Sequence, residues 1–272
     1  MKRWVMSFAL NEVVPYINWL YFYHAWQMSG KSENQRLALK NDADDMLDDF
    51  KGKFRTHAVV ALCGANSDGD DIVLDNNVRL PMLRMQQPDS DGVCWCVADF
   101  IRPTGNAGAD TLGLFAATVE PLMEKTYSDD PYMRMMAQTL ADRLAEATAE
   151  RVHELVRKNL WGYAADENLT IEDMHAEKFK GIRPAVGYPS LPDTSLNFIL
   201  DKVLRMGDIG ITLTENGAMR PHGSVSGLMI AVCGAKYFNL GKIGRDQLQD
   251  YAKRRGLPLE MVRKFLAASL ID

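Results

Sequence analysis

Apolar positions along the chain follow two rhythms. Between Ser32 and Lys51, Leu39, Ala43, Met46, Leu47 and Phe50 recur at the spacing of one helix face. The same spacing runs through "YMRMMAQTLADRLAEATAERVHELVRKNL" to about Leu160. Asp130 and Pro131 open that helix: a carboxylate can accept its free N–H groups, and proline's missing donor does no harm in a first turn. A short helix is predicted near 170–179 and another at roughly 193–206, while "GRDQLQDYAKRRG" and "PLEMVRKFLAASL" read as two closing amphipathic helices. Residues 12–28 are rich in aromatics and predicted to be helical after Pro15; their polar exceptions, Asn18 and His24, need partners if buried.

The second rhythm belongs to strands. "THAVVALC" (56–63), "DIVLD" (71–75) and "VRLPML" (78–83) are apolar runs bounded by turn residues, and Asn76–Asn77 joins the last two as a hairpin. "VCWCVADFI" (93–101) and "TLGLFAATV" (111–119) continue the sheet, and strands are also predicted within "GITLTENGAMRPHGSVSGLMIAV" and "YFNLGKIG". Hairpin-length connections predict antiparallel pairing rather than a doubly wound parallel sheet. With neither repeats nor linker-like tracts, residues 1–272 are expected to form one α/β domain of the α+β type.

Composition narrows the function. A hydrophobic fraction of 47% and a charged fraction of 25% suit a globular chain with a sizeable core. The net charge of −5, with acidic residues spread along the sequence, argues against nucleic acid as partner. The first residues imitate a targeting segment, but Asn11 and Glu12 interrupt the apolar run and no cleavage site follows. The next apolar run is too short to span a bilayer, so a cytoplasmic protein without a membrane partner is expected. Cys63, Cys94, Cys96 and Cys233 fit free thiols in a reducing compartment. Cys94 and Cys96 are expected on one face of a buried strand, as small core residues rather than metal ligands, because a second pair at ligand spacing is missing.

Familiar catalytic patterns fail. "VVALCGANSDGDD" lacks both the glycine spacing and the following helix of a dinucleotide-binding turn, and "GSVSG" has Val225 where a nucleophile elbow needs serine. Glu150 with His153, and Glu172 with His175, form two Glu-x-x-His pairs, and Asp142 and Glu146 precede the first on nearly one face. A helical-bundle di-metal centre needs four long facing helices, so ion pairs on helix surfaces are the expected role.

"GIRPAVGYPSLPD" (181–193) holds three prolines and two glycines in thirteen residues. The prolines push Arg183, Tyr188 and Leu191 into extended conformations, and Gly187 permits close backbone approach. Such a ribbon suits gripping a small molecule, with Arg183 for a carboxylate and Tyr188 for a flat ring. A proline-rich connector packed on the surface explains its composition equally well.

Particular stretches carry more weight. "RLAEATAERVHELVRK", "GIRPAVGYPSLPD", "GSVSG" and "IGRDQLQDYAKRRG", with "YINWLYFYHAW", "DADDML", "GDDI" and "VADFI" upstream in the same order, resemble the reactivation domain of cobalamin-dependent methionine synthase. The resemblance implies a single curved domain with a twisted antiparallel sheet flanked by helices, and it implies binding of S-adenosylmethionine. Its implied role is to help return oxidised cobalamin to use: a flavodoxin-type reductant supplies an electron and S-adenosylmethionine a methyl group. The contacts it implies are Arg183, Ala185, Gly187 and Tyr188 on the ribbon, Glu146 on the long helix, Tyr237, and Phe238 in place of a second tyrosine.

Two departures accompany the resemblance. Asn18 stands where the family has an aspartate in contact with the ligand; asparagine keeps hydrogen bonding but loses the charge that would attract the α-ammonium or sulfonium. The chain also begins at this domain, and Asp173–Lys178 lacks the glycine of a cobalamin-ligating motif. The expectation is a detached activation subunit of a methyltransferase system acting on 5-methyltetrahydrofolate and homocysteine. It would not be a complete enzyme alone, and would meet cobalamin only through a cobalamin-binding partner chain. A fragment of a larger protein is the alternative origin. The rival function is a non-catalytic scaffold that keeps the fold and has lost the ligand.

Overall fold

The computed structural model describes residues 1–106, 108–127 and 129–271. Its main sheet has six antiparallel strands: β1 (Lys2–Ala9), β2 (Arg55–Asp68), β3 (Asp71–Leu74), β4 (Arg79–Pro81), β5 (Asp110–Val119) and β8 (Ser224–Met229). β6 (Thr212–Leu213) and β7 (Met219–Arg220) make a separate two-stranded ribbon. The helices are α1 (Leu10–Val13), α2 (Trp19–Ala25), α3 (Glu33–Phe50), α4 (Pro131–Leu155), α5 (Ile171–His175), α6 (Asn197–Leu204), α7 (Arg245–Arg255) and α8 (Leu259–Phe265).

β2 organises the sheet. Along one edge it pairs first with β1 and then with β3, while β5 lines its other edge and carries β8 beyond. Alternate side chains of a strand point to opposite faces, and here both faces are covered. Ala58, Val60 and Leu62 join the core beneath α3 and α4, whereas Val59, Ala61 and Cys63 join the core shared with α6. A third cluster, around Tyr251 and Ile243, secures the closing helices.

The helix starts follow the expected chemistry. Asp130 Oδ1 accepts from Tyr132 N–H at 2.9 Å and Met133 N–H at 3.1 Å, and α4 then runs 25 residues before widening into a π-turn over Val156–Leu160. The Asn76–Asn77 hairpin forms, closed by Leu74 N–H donating to Val78 O at 2.9 Å.

Two expectations need correction, and one strand was not predicted. The targeting-like N-terminus is strand β1, whose Trp4, Met6 and Phe8 alternate inward onto the core. Residues 93–101 are not a strand: Asp99 Oδ2 accepts the Cys96 N–H at 2.9 Å, its carboxylate also holds Arg84, and the chain turns into a 3-10 helix at Val97–Phe100. Cys94 is consequently half-buried and Cys96 buried, not a matched pair. "YFNLGKIG" is irregular as well, because its backbone bonds to the 181–193 ribbon, Leu240 N–H to Pro189 O at 3.1 Å, instead of to a ladder.

Candidate functional site

The ribbon 181–193 lies along β8 as an irregular extra strand. Ile182 and Ile230 exchange N–H to carbonyl bonds of 2.9 Å each, Leu228 N–H donates to Pro184 O at 3.0 Å, and Val186 N–H to Ser226 O at 2.9 Å. Gly227 permits this approach: a Cβ there would lie 2.2 Å from Pro184 O. Beyond Val186 the chain folds back, with Gly187 at φ +91° donating to Leu191 O at 2.7 Å. On its other side the ribbon is pinned to the 237–240 segment, where Ser190 Oγ donates to Phe238 O at 2.6 Å.

A cleft of about 500 Å³ opens between this ribbon, α4, α5 and the 16–21 segment. α4 offers Arg143, Glu146, Ala147 and Glu150, residues spaced at three, four and seven, hence on one helix face. Arg183, Ala185 and Tyr188 enter from the ribbon, Tyr237 and Phe238 from the segment pinned to it, and Asn18 from the 16–21 segment. Of the residues implied by the resemblance, Gly187 alone does not line the cleft; it turns the chain that does.

Charge in the cleft is arranged in pairs. Arg183 Nη2 donates to Glu150 Oε1, with the guanidinium side chain 8% exposed and 5.5 Å above the Phe115 ring. Burial works against its charge, but Glu150 and Glu146 more than compensate and hold its pKa above the ordinary value. The guanidinium, expected to meet a ligand carboxylate, is thus already held by a protein carboxylate. Tyr188 Oη donates to Glu146 Oε1 at 2.7 Å; burial first and Glu146 second push its pKa up. The Arg183 N–H donates to Tyr237 Oη at 2.9 Å. Glu177, in the turn after α5, has a raised pKa through burial and the neighbouring Glu150.

Three buried polar atoms at the cleft have no hydrogen-bond partner: Arg143 Nε, Glu150 Oε2 and Arg183 Nε. Trp26 Nε1, Thr56 Oγ1, His153 Nδ1 and Arg157 Nη1, away from the cleft lining, are in the same state, so these atoms do not by themselves single out the cleft. Behind it, Arg157 sits fully buried on the π-turn, its Nε and Nη2 on Glu167 at 2.6–3.0 Å and its guanidinium 4.6 Å over Phe179. His153 lies edge-on to Phe179 at 4.7 Å and is held neutral by burial and by the cations Arg157 and Arg183.

The first Glu-x-x-His pair and the two acids before it take separate partners, while His175 of the second pair faces Tyr16 O at 3.0 Å. Asp142 bonds His222 at 3.1 Å, Glu146 Tyr188, Glu150 Arg183, and His153 Tyr163 at 3.3 Å. Among the described residues no group of three or more acidic, histidine or cysteine side chains is placed to hold a metal. Sequence reasoning named Asn18 but missed Arg143, Glu177, Tyr16 and Tyr21 as parts of one site. The i, i+3, i+7 spacing of Arg143, Glu146 and Glu150 was the available signal.

This fold and cleft have relatives. Residues 9–256 match the vitamin B12 dependent methionine synthase activation domain, and the chain belongs to that family. Among solved structures, one described as the MetH reactivation domain bound to AdoHcy superposes with a TM-score of 0.92 at 35% identity, over 100% of this chain and 91% of that one. The curled antiparallel sheet with its helices is therefore the reactivation-domain fold. No helix among the described residues is long and apolar enough to cross a membrane.

Proposed function

We propose that the cleft binds S-adenosylmethionine and that residues 1–272 act as one unit, the activation subunit of a split cobalamin-dependent methionine synthase. The observation that carries this reading is the cleft itself: three carboxylates, Glu146, Glu150 and Glu177, face two guanidinium groups, Arg143 and Arg183. The resulting single negative excess complements a ligand whose sulfonium and ammonium outweigh its one carboxylate. The similar structure with AdoHcy, the demethylated form of the same compound, supports the assignment.

When bound, S-adenosylmethionine supplies the methyl group for reductive methylation of cob(II)alamin carried by a partner chain, with the electron from a flavodoxin-type reductant. This chain's residues bind and orient: Tyr188 holds Glu146 toward the cleft, Glu150 fixes Arg183, and Ala185 offers backbone edges. A ligand that binds only the folded state raises its melting temperature, so titration with S-adenosylmethionine is the first test. Saturating ligand without a shift would favour the ligand-free scaffold. Reactivation of a cobalamin-binding chain with and without this subunit then tests the role.

A further inference from the structure

Residues 236–239 bring Tyr237, Phe238 and Asn239 to the cleft without belonging to a strand or a helix. A segment outside regular structure must find its main-chain partners one by one. Among the described residues, the only main-chain groups of 236–239 that bond within the protein are those of Phe238, and both bond to Ser190. Ser190 Oγ donates to Phe238 O at 2.6 Å and accepts the Phe238 N–H at 3.2 Å. A hydroxyl has one donor and two acceptor sites, so this side chain supplies both halves of what a neighbouring strand would give. Ser190 is 8% exposed, and little water competes for these bonds. To either side, Tyr237 Oη accepts the Arg183 N–H at 2.9 Å, and Leu240 N–H donates to Pro189 O at 3.1 Å. All these ties end on the 181–193 ribbon, but the Tyr237 tie is made at the far end of its side chain. Between them, Ser190 holds the main chain itself.

We infer that Ser190 is a positioning residue: its hydroxyl sets the spacing between the ribbon and the Phe238 main chain, and so the place at which Tyr237 and Phe238 meet a ligand in the cleft. This rests on the proposed ligand and adds a residue that acts on it through its neighbours. Without the hydroxyl, the Phe238 N–H and carbonyl keep no partner in the protein, and main-chain groups in that state draw a segment toward water. The wall then shifts, while the sheet and α4, whose hydrogen bonds do not involve Ser190, keep the fold.

Ser190→Ala in the full chain tests this by two measurements. Hydrogen exchange in the ¹⁵N-labelled, ligand-free protein reads the Phe238 amide, which should exchange roughly tenfold faster than in the wild type. Calorimetric titration with S-adenosylmethionine should show binding about fivefold weaker, the worth of one hydrogen bond, in a chain that urea unfolding shows to be folded. Ser190→Thr keeps the hydroxyl and should return protection and affinity together. Unchanged affinity in Ser190→Ala, or weaker affinity with the Phe238 amide still protected, overturns the inference while leaving the proposed ligand intact. Wild-type protein that does not bind S-adenosylmethionine overturns both. Should Ser190→Ala fold poorly, the wild-type chain decides: its Phe238 amide is expected to be protected, and exchange at the rate of an open chain refutes the clamp.

Discussion

Removing Glu150 should expose how much the cleft depends on one buried pair. In Glu150→Ala the Arg183 guanidinium stays in place, 8% exposed, above Phe115 and without its carboxylate. Its Nε already lacks a partner, so little hydrogen bonding remains to it. Breaking a buried pair from one side costs about 3–5 kcal/mol. Glu150 is 19% exposed, which admits some water and places the expectation near the lower end, about 3 kcal/mol. For a chain of this size that corresponds to a melting-temperature drop of roughly 6–10 °C. Glu146 is the other carboxylate acting on Arg183, but Tyr188 holds it, so rescue by reorientation should be partial. Urea unfolding gives the free energy directly. The double variant Glu150→Leu with Arg183→Met supplies the control: replacing both charges by apolar groups should cost less than Glu150→Ala alone, although it removes more polar atoms. A Glu150→Ala penalty under about 1 kcal/mol, or a double variant worse than the single one, would refute the claim that pairing in a buried site sets the energetics.

Three further outcomes are expected. His153 has a depressed pKa in the folded chain, so its contribution is present above the unfolded value of about 6.5 and is lost as pH falls below it; His153→Leu should flatten the decline in urea stability between pH 7.5 and 5.5, and an unchanged slope would count against a buried neutral imidazole. Gly227→Ala places a Cβ 2.2 Å from Pro184 O and 2.8 Å from Ala185 Cα, so the ribbon must leave β8; a loss of about 1–3 kcal/mol is expected in thermal unfolding, with weaker S-adenosylmethionine binding. Burial raises the thiol pKa of Cys63 to about 11 and of Cys96 to about 12, so with a colorimetric disulfide reagent at pH 8 the exposed Cys233 should react first and these two only on unfolding.

Helices were legible wherever period and start signal agreed, as at Asp130–Pro131, because both act within a few residues. The errors have long-range causes. β1 has the alternation of a strand, but only its pairing along residues 55–62 of β2 turns Trp4, Met6 and Phe8 into core residues. The 93–101 run has the apolar content of a strand, yet Asp99 serves both the Cys96 N–H and Arg84, a residue fifteen positions away, and bends it. In the cleft, the family resemblance named Glu146, Arg183 and Tyr188. It did not show that Glu150 holds Arg183 or that Tyr188 holds Glu146, since both depend on neighbours brought together by folding.

The stiffness of residues 181–193 now has a mechanical explanation. Proline removes donors from a strand, which would ordinarily disqualify the ribbon from a sheet. Here the prolines at 184, 189 and 192 fall where no donor is required: Pro184 and Pro189 contribute carbonyls, to Leu228 and Leu240, while Ile182 and Val186 provide the donors to β8. The ribbon is thereby fastened on two sides by groups that proline retains. Arg183 and Tyr188 remain free to turn to α4, where Glu150 and Glu146 receive them one helical turn apart. A regular strand could not do this, because continued pairing would carry the chain past the cleft instead of folding it back at Gly187. Irregularity is thus what lets one segment both extend the sheet and form a wall of the cleft.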